Sequence, residues 1–305
     1  MKIDFGIINY NGGDSLAKCV KSIRDLQGVE TGIFIYDNNS QDNSLDGIDN
    51  AVIEKSEKNR GYAGACNALL GKMNSEIQVL CNMDLEFDEN WGREVLTAFE
   101  NNPEYGSVAS FVMEKSGVVN SVGVEFYPDM HAANIEMEAS EEKQVFGCYG
   151  AVMAFRKEAA QKAGFLEEPF FLFYEETEWY LRHNLLNFPT LFCPRAIVWH
   201  ERSKTTVRYS PLKLFYGERN RIRTAIHYLP FGYLPKIPFY SFKRYLRTSV
   251  KNAGETKNSK IYLVYILLKA WLCGIFGKKP VFKLTGKDKK KVLKLIGEYA
   301  KKDFY

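Results

Sequence analysis

Three glutamates, Glu175, Glu176 and Glu178, follow an aromatic run at positions 170–174. An alcohol that attacks an electrophilic carbon must lose its proton, and a carboxylate at the floor of an apolar pocket can accept it. The structural alternative is that acidic residues opening a helix are stabilised by the positive end of that helix. The residue types alone leave a catalytic base and a helix start both open.

Asp84 follows the apolar run 77–81, in the segment Asn82-Met83-Asp84. A carboxylate at the end of a buried strand can hold Mg²⁺ or Mn²⁺, and such an ion neutralises a diphosphate leaving group. His200, directly after the apolar run 196–199, is a second candidate metal ligand, although a lone histidine more often has a structural role. A turn or cap is an equal alternative for Asp84, and Asp88 is predicted to cap a helix that starts near residue 89.

Two further polar clusters can bind a nucleotide. The cluster 37–42 contains Asp37 and Asn39, whose carboxylate and amide groups suit a nucleobase or ribose, and its alternative is an Asx-rich turn. The cluster 59–67 contains Asn59, Arg60, Gly61 and Asn67. Its glycines allow close backbone approach to a ligand and Arg60 can face phosphate, but a structural strand-to-helix turn explains the same residues.

Short apolar runs that alternate with helical periodicity position these clusters. The pattern predicts strands at 3–9, 32–36, 52–53 and 77–81, with helices from Asp14 to about residue 27 and from the 59–64 turn to about residue 73. Each polar cluster follows the carboxyl end of a strand. Because ligands bind at this edge in open α/β sheets, we expect the clusters to converge there.

The middle of the chain has a more mixed pattern. It predicts strands at 107–113, 118–126, 150–155, 191–193 and 196–199, a helix from about residue 157, and a polar segment at 128–143 that is mobile. We predict one domain at 1–210, with halves at about 1–100 and about 101–210. Residues 211–305 are predicted to form a basic, aromatic, helical C-terminal region.

Charge divides the chain sharply. Residues 201–305 contain 25 Lys and Arg against 6 Asp and Glu, a net charge of +19, whereas residues 1–200 contain 16 against 31, a net charge of −15. Residues 261–277 are the most apolar stretch, too short for a membrane span and flanked by lysines. We therefore expect this region to bind an anionic membrane surface, the alternative being a helix packed on the catalytic domain. No nucleic-acid-binding module accompanies the basic residues, so nucleic acid is not an expected partner.

Six scattered cysteines form no CxxC pair and no metal-type spacing, so reduced thiols packed in a core are expected,. The N-terminus, MKIDFGIINY, lacks the apolar stretch and cleavage site of a secretory signal,. Both features predict a cytoplasmic protein, bound peripherally to the cytosolic face of the plasma membrane. The oligomeric state is left open.

The order of these clusters resembles glycosyltransferase family 2, the inverting enzymes with the GT-A fold, and in particular its bacterial rhamnosyltransferase-like branch. Asp37-Asn38-Asn39-Ser40 with Asp42 is similar to the family's DNxSxD motif, and the 59–67 turn and Asn82-Met83-Asp84 occupy the places of the next two. The block 171–179 is similar to the family's FFxYxEDxDxxxR block, which contains the catalytic base. The resemblance implies a catalytic domain at 1–210, in which the half at about 1–100 binds the nucleotide sugar and the half at about 101–210 binds the acceptor. The resemblance covers about residues 3–225 and also involves Asn9, Tyr10, Asn11, Arg182, His200, Arg219 and Asn220.

The resemblance implies a central mixed, mostly parallel sheet flanked by helices, and transfer of a sugar from a nucleoside diphosphate donor to a glycan or lipid-linked acceptor. It assigns Asn9, Tyr10 and Asn11 to the donor, together with Asn82 and Met83 beside Asp84. It assigns the base to Glu176, with Glu175 as the alternative. For the acceptor or a phosphate it suggests Glu178, Arg182, Arg219 and Asn220.

Two positions depart from the family pattern. Asn82 replaces the first acidic residue of the metal motif, so a weakly held metal is expected, and Glu176 replaces the usual aspartate base. These departures support a rival of another class, an inactive GT-A-like scaffold at a membrane. A nucleotidyltransferase is a further rival, but residues 9–14 lack the glycine-rich, lysine-containing signature that such enzymes carry near the first strand.

Overall fold

The structure, a computed structural model, describes residues 1–201, 210–251 and 260–299. The described strands are β1 (Lys2–Asn9), β2 (Glu30–Asp37), β3 (Val52–Lys55), β4 (Ile77–Asn82), β5 (Leu85–Phe87), β6 (Ser107–Met113), β7 (Val119–Ser121), β8 (Val124–Phe126), β9 (Ala132–Asn134), β10 (Lys143–Val145), β11 (Val152–Arg156) and β12 (Thr190–His200). The described helices are α1 (Asp14–Arg24), α2 (Gly61–Leu70), α3 (Trp91–Asn101), α4 (Lys157–Ala163), α5 (Glu175–Leu185), α6 (Pro211–Tyr228), α7 (Lys236–Lys251), α8 (Lys260–Phe276) and α9 (Gly286–Tyr299). Short 3₁₀ turns occupy Glu168–Phe170 and Phe231–Tyr233.

One mixed sheet forms the centre of the protein, with strand order β10-β12-β6-β11-β4-β1-β2-β3. The strands β3, β2, β1 and β4 run parallel, and β6 and β12 form a second parallel pair. The antiparallel strand β11 joins these two groups by pairing with both β4 and β6. The predicted mixed sheet flanked by helices is confirmed.

The register of the parallel strands places their polar ends at one edge. Asn9 lies opposite Asp37 of β2, and the preceding residue of β1, Ile8, lies opposite Asn82 of β4. Strand β11 extends this edge, because Val152 pairs with Cys81 and the Asn82 amide donates to the Ala151 carbonyl at 2.9 Å. Backbone pairing alone therefore brings three of the predicted clusters together.

Two hydrophobic layers cover the two faces of the sheet. One contains side chains of α1 and α3, including Leu16, Ile23 and Trp91, packed on Phe5 and Phe87. The other contains side chains of α2, α4, α5, α6 and α9, with Trp179 fully buried against Phe155. Strands buried on both faces read as continuous apolar runs, which is why the sequence predicts them well.

Several element boundaries differ from the sequence predictions. Helix α1 ends at Arg24, and its N-cap is Gly13, so Asp14 lies in the first turn and does not cap the helix. Helix α2 begins at Gly61, inside the predicted turn. Helix α3 has Asn90 as its N-cap, and the Asp88 carboxylate accepts from the Asn90 amide at 2.9 Å, so Asp88 forms a turn and not the predicted cap.

The middle of the chain is also more ordered than predicted. The predicted strand 118–126 is divided into β7 and β8. The predicted mobile segment 128–143 contains β9 and the buried residues Asp129 and Met130. The two predicted pieces at 191–199 form one strand, β12, with a register shift between Cys193 and Ile197. In each case the decisive contacts come from residues distant in sequence.

The basic C-terminal region contains α6 to α9 in its described part. Helix α6 packs on α8, and α9 contacts α5 and α6. None of the helices in the described residues is long and apolar enough to cross a membrane. All six cysteines are free thiols, five of them buried, as predicted for a reduced core.

Candidate functional site

Asn9 and Asp37 form a buried polar pair at the carboxyl edge of the sheet. The Asn9 amide donates to the Asp37 carboxylate at 2.7 Å and to the Ser44 hydroxyl at 2.9 Å. The backbone amide of Ser40 donates to the second Asp37 oxygen at 3.2 Å. Asn9 is fully buried, so its contribution is to fix Asp37 in place. Asp37 is the member of this pair that lies nearest the loop surface.

The β1–α1 turn is bonded to the loop after β2. The Asn11 amide donates to the Ser40 hydroxyl at 2.9 Å, and the Asn11 side chain accepts from the Gln41 amide at 2.8 Å. Asn11 and Asn39 both have left-handed backbone conformations, which asparagine tolerates better than most residues,. Tyr10 is exposed beside this turn. Two predicted donor-binding loops therefore form one polar rim.

Asn38 connects this rim to the cluster 59–67. Its side chain donates to Asn59 Oδ1 and to the Gly61 carbonyl, both at 3.1 Å, and accepts from the Arg60 amide at 2.7 Å. The Arg60 guanidinium lies 2.9 Å from Glu168. The predicted Asn59-Arg60-Gly61 group is thus adjacent to the Asp37 loop.

Asn67 joins α2 to the same segment that Arg60 contacts, since its side-chain amide lies 3.4 Å from Glu168 Oε1. Its side-chain amide donates to the Leu166 carbonyl at 2.9 Å, and its oxygen accepts from the Leu166 amide at 2.8 Å. Because the Asn67 side-chain amide and oxygen both bond to the backbone of Leu166, Asn67 connects α2 to the segment that precedes the aromatic block. A direct contact with a donor would require this pairing to break.

Asp84 and His200 approach each other where β5 pairs with β12. Leu85 lies opposite His200 in the strand register, and this places His200 Nε2 3.5 Å from Asp84 Oδ2. Both side chains are buried. Asp84 Oδ1 and His200 Nδ1 have no hydrogen-bond partner among the described residues. Met83 and Asn82 are partly exposed beside them.

Glu175 and Glu176 begin α5 after a backbone in unusual conformations. Phe171, Phe173 and Tyr174 all have φ between 63° and 78°. Left-handed conformations in large side chains cost free energy and concentrate at functional sites. A Cβ placed on Gly150 would lie 3.2 Å from Glu176 Cγ. Glu176 is therefore beside the start of β11, next to the strand end that carries Asn82.

The two carboxyl groups have different surroundings. Glu175 is 2% exposed and its Oε2 has no hydrogen-bond partner among the described residues, whereas Glu176 is partly exposed. Burial, followed by the charge of Glu176, raises the pKa of Glu175 well above its ordinary value. Burial also raises the pKa of Glu176. Two neighbouring buried carboxylates repel, so the pair retains a proton at a pH where an isolated Glu is ionised.

Helix α6 holds the backbone that precedes this pair. The Asn220 amide donates to the carbonyls of Phe170, Leu172 and Phe173 at 3.0, 3.2 and 2.7 Å. Arg219 donates to the Phe170 carbonyl at 2.7 Å. Both residues, predicted to meet the acceptor or a phosphate, contact the loop 169–174 in the structure.

Glu178 and Arg182 form an ion pair of 2.7 Å with side chains at most 3% exposed. Arg182 also donates to the Ala163 carbonyl at 2.6 Å, and the Tyr228 hydroxyl donates to Glu178. This pair joins α5 to the end of α4 and to α6. A direct contact with an acceptor or phosphate would require a buried ion pair to open, which is energetically costly.

No local sequence pattern points to several of the residues that support the site. The Tyr62 hydroxyl donates to the Gly150 carbonyl and the Tyr62 amide donates to the Phe171 carbonyl at 2.7 Å. The Tyr174 hydroxyl donates to the Met130 carbonyl. A Cβ on Gly61 would lie 2.1 Å from the Phe171 carbonyl oxygen, and Gly61 has a φ of 73°. Only glycine permits this approach, and the glycines of the 59–64 turn are the signal that the sequence offers,.

Comparison with known proteins adds to this geometry. The model of glycosyl transferase family 2 matches residues 4–164, slightly more than half of the chain. The chain belongs to this family. The prediction of a family 2 glycosyltransferase, and with it of an enzyme, is confirmed. The rhamnosyltransferase-like branch remains a prediction.

Two curated relatives are a glycan biosynthesis hexosyltransferase and a polysaccharide synthase. A low-salt glycan biosynthesis hexosyltransferase of Haloferax volcanii is 24% identical over 230 residues, which are 70% of this chain and 72% of the relative. A poly-beta-1,6-N-acetyl-D-glucosamine synthase of Staphylococcus epidermidis is 22% identical over 206 residues, 65% of this chain. This chain spans about half of that relative, 49%.

Solved structures share the fold of this family 2 enzyme. GalNAc-T7 with UDP, GalNAc and Mn²⁺ has a TM-score of 0.63 at 11% identity, covering 92% of this chain and 59% of GalNAc-T7. The mannosyltransferase PcManGT from Pyrobaculum calidifontis, with GDP-Man and Mn²⁺, has a TM-score of 0.54 at 12% identity, covering 91% of this chain and 88% of PcManGT. At such identities the likeness shows the fold alone, and it confirms the predicted GT-A fold.

Proposed function

We propose that this family 2 enzyme transfers a hexose from a nucleoside diphosphate sugar to a glycan or lipid-linked acceptor, with inversion, using Glu176 as the base. One observation carries the proposal. A single sheet edge brings the Asp37 rim, the Asp84–His200 pair and the Glu175–Glu176 pair together, through the register of β1, β2, β4 and β11. A donor lying across this edge would have its base and ribose at the Asp37 rim, its diphosphate at the Asp84–His200 pair and its sugar near the Glu175–Glu176 pair.

The donor would lie along the polar rim. Asp37, Asn39 and Asn59 supply acceptors and donors for a base and ribose, Tyr10 and Asn11 lie beside them, and Arg60 supplies a cation. The solved structures with UDP and with GDP-Man support a nucleoside diphosphate sugar as the donor class. We propose dTDP-rhamnose or a UDP-hexose, and a thermal-shift screen of dTDP-, UDP- and GDP-sugars with Mn²⁺ identifies which one binds.

Asp84 and His200 fit a divalent metal such as Mg²⁺ or Mn²⁺. Their facing oxygen and nitrogen atoms, and the buried atoms of both that lack partners, form the donor set that such an ion accepts,. No group of three His, Cys, Asp or Glu ligands occurs within 1–201, 210–251 and 260–299. The protein would therefore supply two ligands, with Asn82 as a neutral neighbour, and hold the metal weakly. When bound, the metal supplies positive charge for the departing diphosphate.

Glu176 would carry out the proton transfer. The acceptor oxygen forms a bond to the anomeric carbon, the bond from that carbon to the diphosphate oxygen breaks on the opposite side, and the hydroxyl proton passes to Glu176. The partly exposed Glu176 can reach an acceptor beside Gly150, whereas Glu175 is enclosed. We propose that six residues act indirectly, by holding the side chains and loops that contact the substrates. They are Glu178, Arg182, Arg219, Asn220, Asn9 and Asn67.

Replacing the base tests the proposal directly. In Glu176→Gln we expect the rate of nucleotide release with acceptor to fall by about 10²–10⁴-fold, because a base contributes that much to a proton transfer. Donor affinity by calorimetry should be unchanged, because Glu176 does not contact the nucleotide. The matched control is Glu175→Gln. Wild-type turnover in Glu176→Gln, or loss confined to Glu175→Gln, contradicts the assignment to Glu176.

We also propose that the enzyme works at the cytosolic face of the plasma membrane, attached through its C-terminal region. The net charge of +19 over residues 201–305 supports an anionic membrane as the partner,. A lipid-linked acceptor would be delivered from the same surface.

A further inference from the structure

Helix α8 is apolar on both of its faces. Its inner face packs on α6, where Ala270 is fully buried and a Cβ on Gly274 would lie 2.8 Å from Ile222 Cβ. Its outer face consists of large side chains that are between 44% and 84% exposed: Ile261, Tyr262, Val264, Tyr265, Leu268, Leu272, Ile275 and Phe276. The spacing of these residues follows the helical period, so they form one stripe along the whole helix.

Such a stripe is unusual on a surface that faces only water. Isolated exposed apolar residues are ordinary, but a continuous stripe on one helix marks a surface that another apolar partner covers. Helix α8 contains no Asp or Glu. Lys269 within it and Lys278 and Lys279 after its end are exposed. The covering partner must therefore tolerate an apolar centre and a cationic rim.

These charges distinguish between occupants. A second copy of this chain would place one lysine-bearing rim against another, with no acidic residue of α8 to offset the repulsion,. A bilayer containing anionic lipids matches both the apolar stripe and the lysines. The helix has 17 residues and would be about 25 Å long at about 1.5 Å per residue, shorter than a bilayer span requires,.

We propose that the outer face of α8 lies in the headgroup region of an anionic bilayer, with the helix axis parallel to the membrane plane. The inference rests on the proposed function for its consequence, that the acceptor is a lipid-linked sugar held in the same bilayer. Helix α6 lies next to both α8 and the loop 169–174, because α6 packs on α8 and Asn220 of α6 donates to the Phe173 carbonyl. Packed helices lie about 8–10 Å apart, so the membrane surface would be about one helix layer from the loop that precedes Glu176.

The test is flotation of the full chain with vesicles of equimolar phosphatidylcholine and phosphatidylglycerol. The test variant is Leu268→Ser, Leu272→Ser and Ile275→Ser together. Its matched control replaces three equally exposed apolar residues of the catalytic half, Val118→Ser, Met137→Ser and Phe165→Ser. We expect the vesicle partitioning of the α8 variant to fall at least about tenfold. The loss of even one large apolar side chain reduces the favourable free energy of transfer to the bilayer by enough for a change of that size. The control variant and the secondary structure of both should match wild type.

Three outcomes overturn the inference. They are equal partitioning of the α8 variant and wild type, an equal loss in the control variant, and a wild-type dimer by light scattering that the α8 variant converts to monomer. The last result would assign the face to a second copy. Acceptor-independent hydrolysis of the donor separates this inference from the proposed function. If the α8 variant hydrolyses donor normally but no longer glycosylates a vesicle-embedded acceptor, both the inference and the proposed function stand. If wild type floats with the vesicles but neither hydrolyses donor nor transfers sugar, only the proposed function fails.

Discussion

Glu175 and Glu176 are adjacent in sequence but meet different environments. Backbone conformations that side chains rarely adopt at Phe173 and Tyr174 point Glu175 into the core and leave Glu176 at the edge of the sheet. Since both pKa values are raised, the pair resists losing its last proton. A base whose pKa is raised toward the working pH is better matched to proton transfer than an ordinary carboxylate. Under the proposed mechanism, burial would therefore bring the pKa of Glu176 closer to the working pH.

This pair should make the stability of the protein depend on pH. In the unfolded chain Glu175 ionises near its ordinary pKa, whereas in the folded chain its pKa is raised, so the folded state binds more protons between the two values,. Stability contributed by the group is present below the ordinary pKa and is lost as pH rises through the folded pKa. Glu175→Gln should flatten the fall of Tm as the pH rises above the ordinary pKa of a glutamate, measured by thermal melts,. A slope identical to wild type would contradict the raised pKa.

At the same scale, Asp84 should link donor binding to the metal. In Asp84→Asn we expect Mn²⁺ to lose its effect on donor affinity, because the carboxylate is the only anionic ligand of the proposed pair. Calorimetry of UDP-hexose binding with and without Mn²⁺ measures this difference. Asp88→Asn is the matched control, since among the described residues the Asp88 carboxylate accepts hydrogen bonds only from Asn90. A retained Mn²⁺ effect in Asp84→Asn would remove the metal role.

Among the elements, α6 controls the loop 169–174. Asn220 is fully buried, and its side-chain amide donates to three carbonyls of that loop. These carbonyls lie outside the α-helices and strands of the protein, so an external donor must satisfy them. The geometry of the Glu175–Glu176 pair therefore depends on Asn220, about 45 residues further along the chain.

Asn220→Ala should disturb catalysis more than the variant's loss of stability suggests. We expect unfolding free energy to fall by about 1–3 kcal/mol, because carbonyls lose their donor, and turnover to fall by about tenfold or more through displacement of the loop. Urea denaturation and steady-state kinetics measure the two effects. Thr224→Val is the control, since the Thr224 hydroxyl is also buried in α6 but bonds only to the Asn220 carbonyl. Equal turnover in both variants would show that α6 does not hold the loop.

Across the whole molecule, a buried charge network joins the C-terminal helices α6 and α7 to the segment between β8 and β9, which contains Asp129. Arg244 of α7 lies 2.9 Å from Asp129 and 2.8 Å from Glu218 of α6, and Arg221 lies 2.6 Å from Glu218. Although burial alone would raise it, the guanidiniums of Arg221 and Arg244 lower the pKa of Asp129 to about 2. The stability that Asp129 contributes is therefore present above its ordinary pKa and is lost as pH falls toward 2.

Arg244→Met should destabilise the whole chain. Removing one partner from a buried network leaves carboxylates without their counter-charge, at a cost of about 3–5 kcal/mol in unfolding free energy. Lys162→Met is the control, because the Lys162–Glu158 pair is exposed and screened by water and should contribute little to stability,. Urea denaturation at pH 7 measures both, and an unfolding free energy for Arg244→Met within that of the control would contradict a structural role for the network.

The sequence by itself predicts the sheet and most of the site. Its apolar runs indicate strands buried on both faces, and the polar residue at the end of each run indicates the edge where Asp37, Asp84 and Asn59 lie. These are local signals, since a strand buried on two faces needs a continuous apolar run whatever its neighbours are. The same holds for α8, whose apolar length is visible without any partner.

Only the tertiary structure decides what the polar side chains do. Arg182 and Asn220 have the residue types of ligand contacts, yet each binds carbonyls or carboxylates inside the protein. Asp129 lies in a segment predicted to be mobile but is fully buried between two arginines. The physical reason is that a charged or amide group loses its hydration when it is buried and must then bind a partner inside the protein. That partner is distant in sequence, so the sequence does not show which one it is. Whether α8 turns its second apolar face outward was likewise decided only by the packing of α6 against the first.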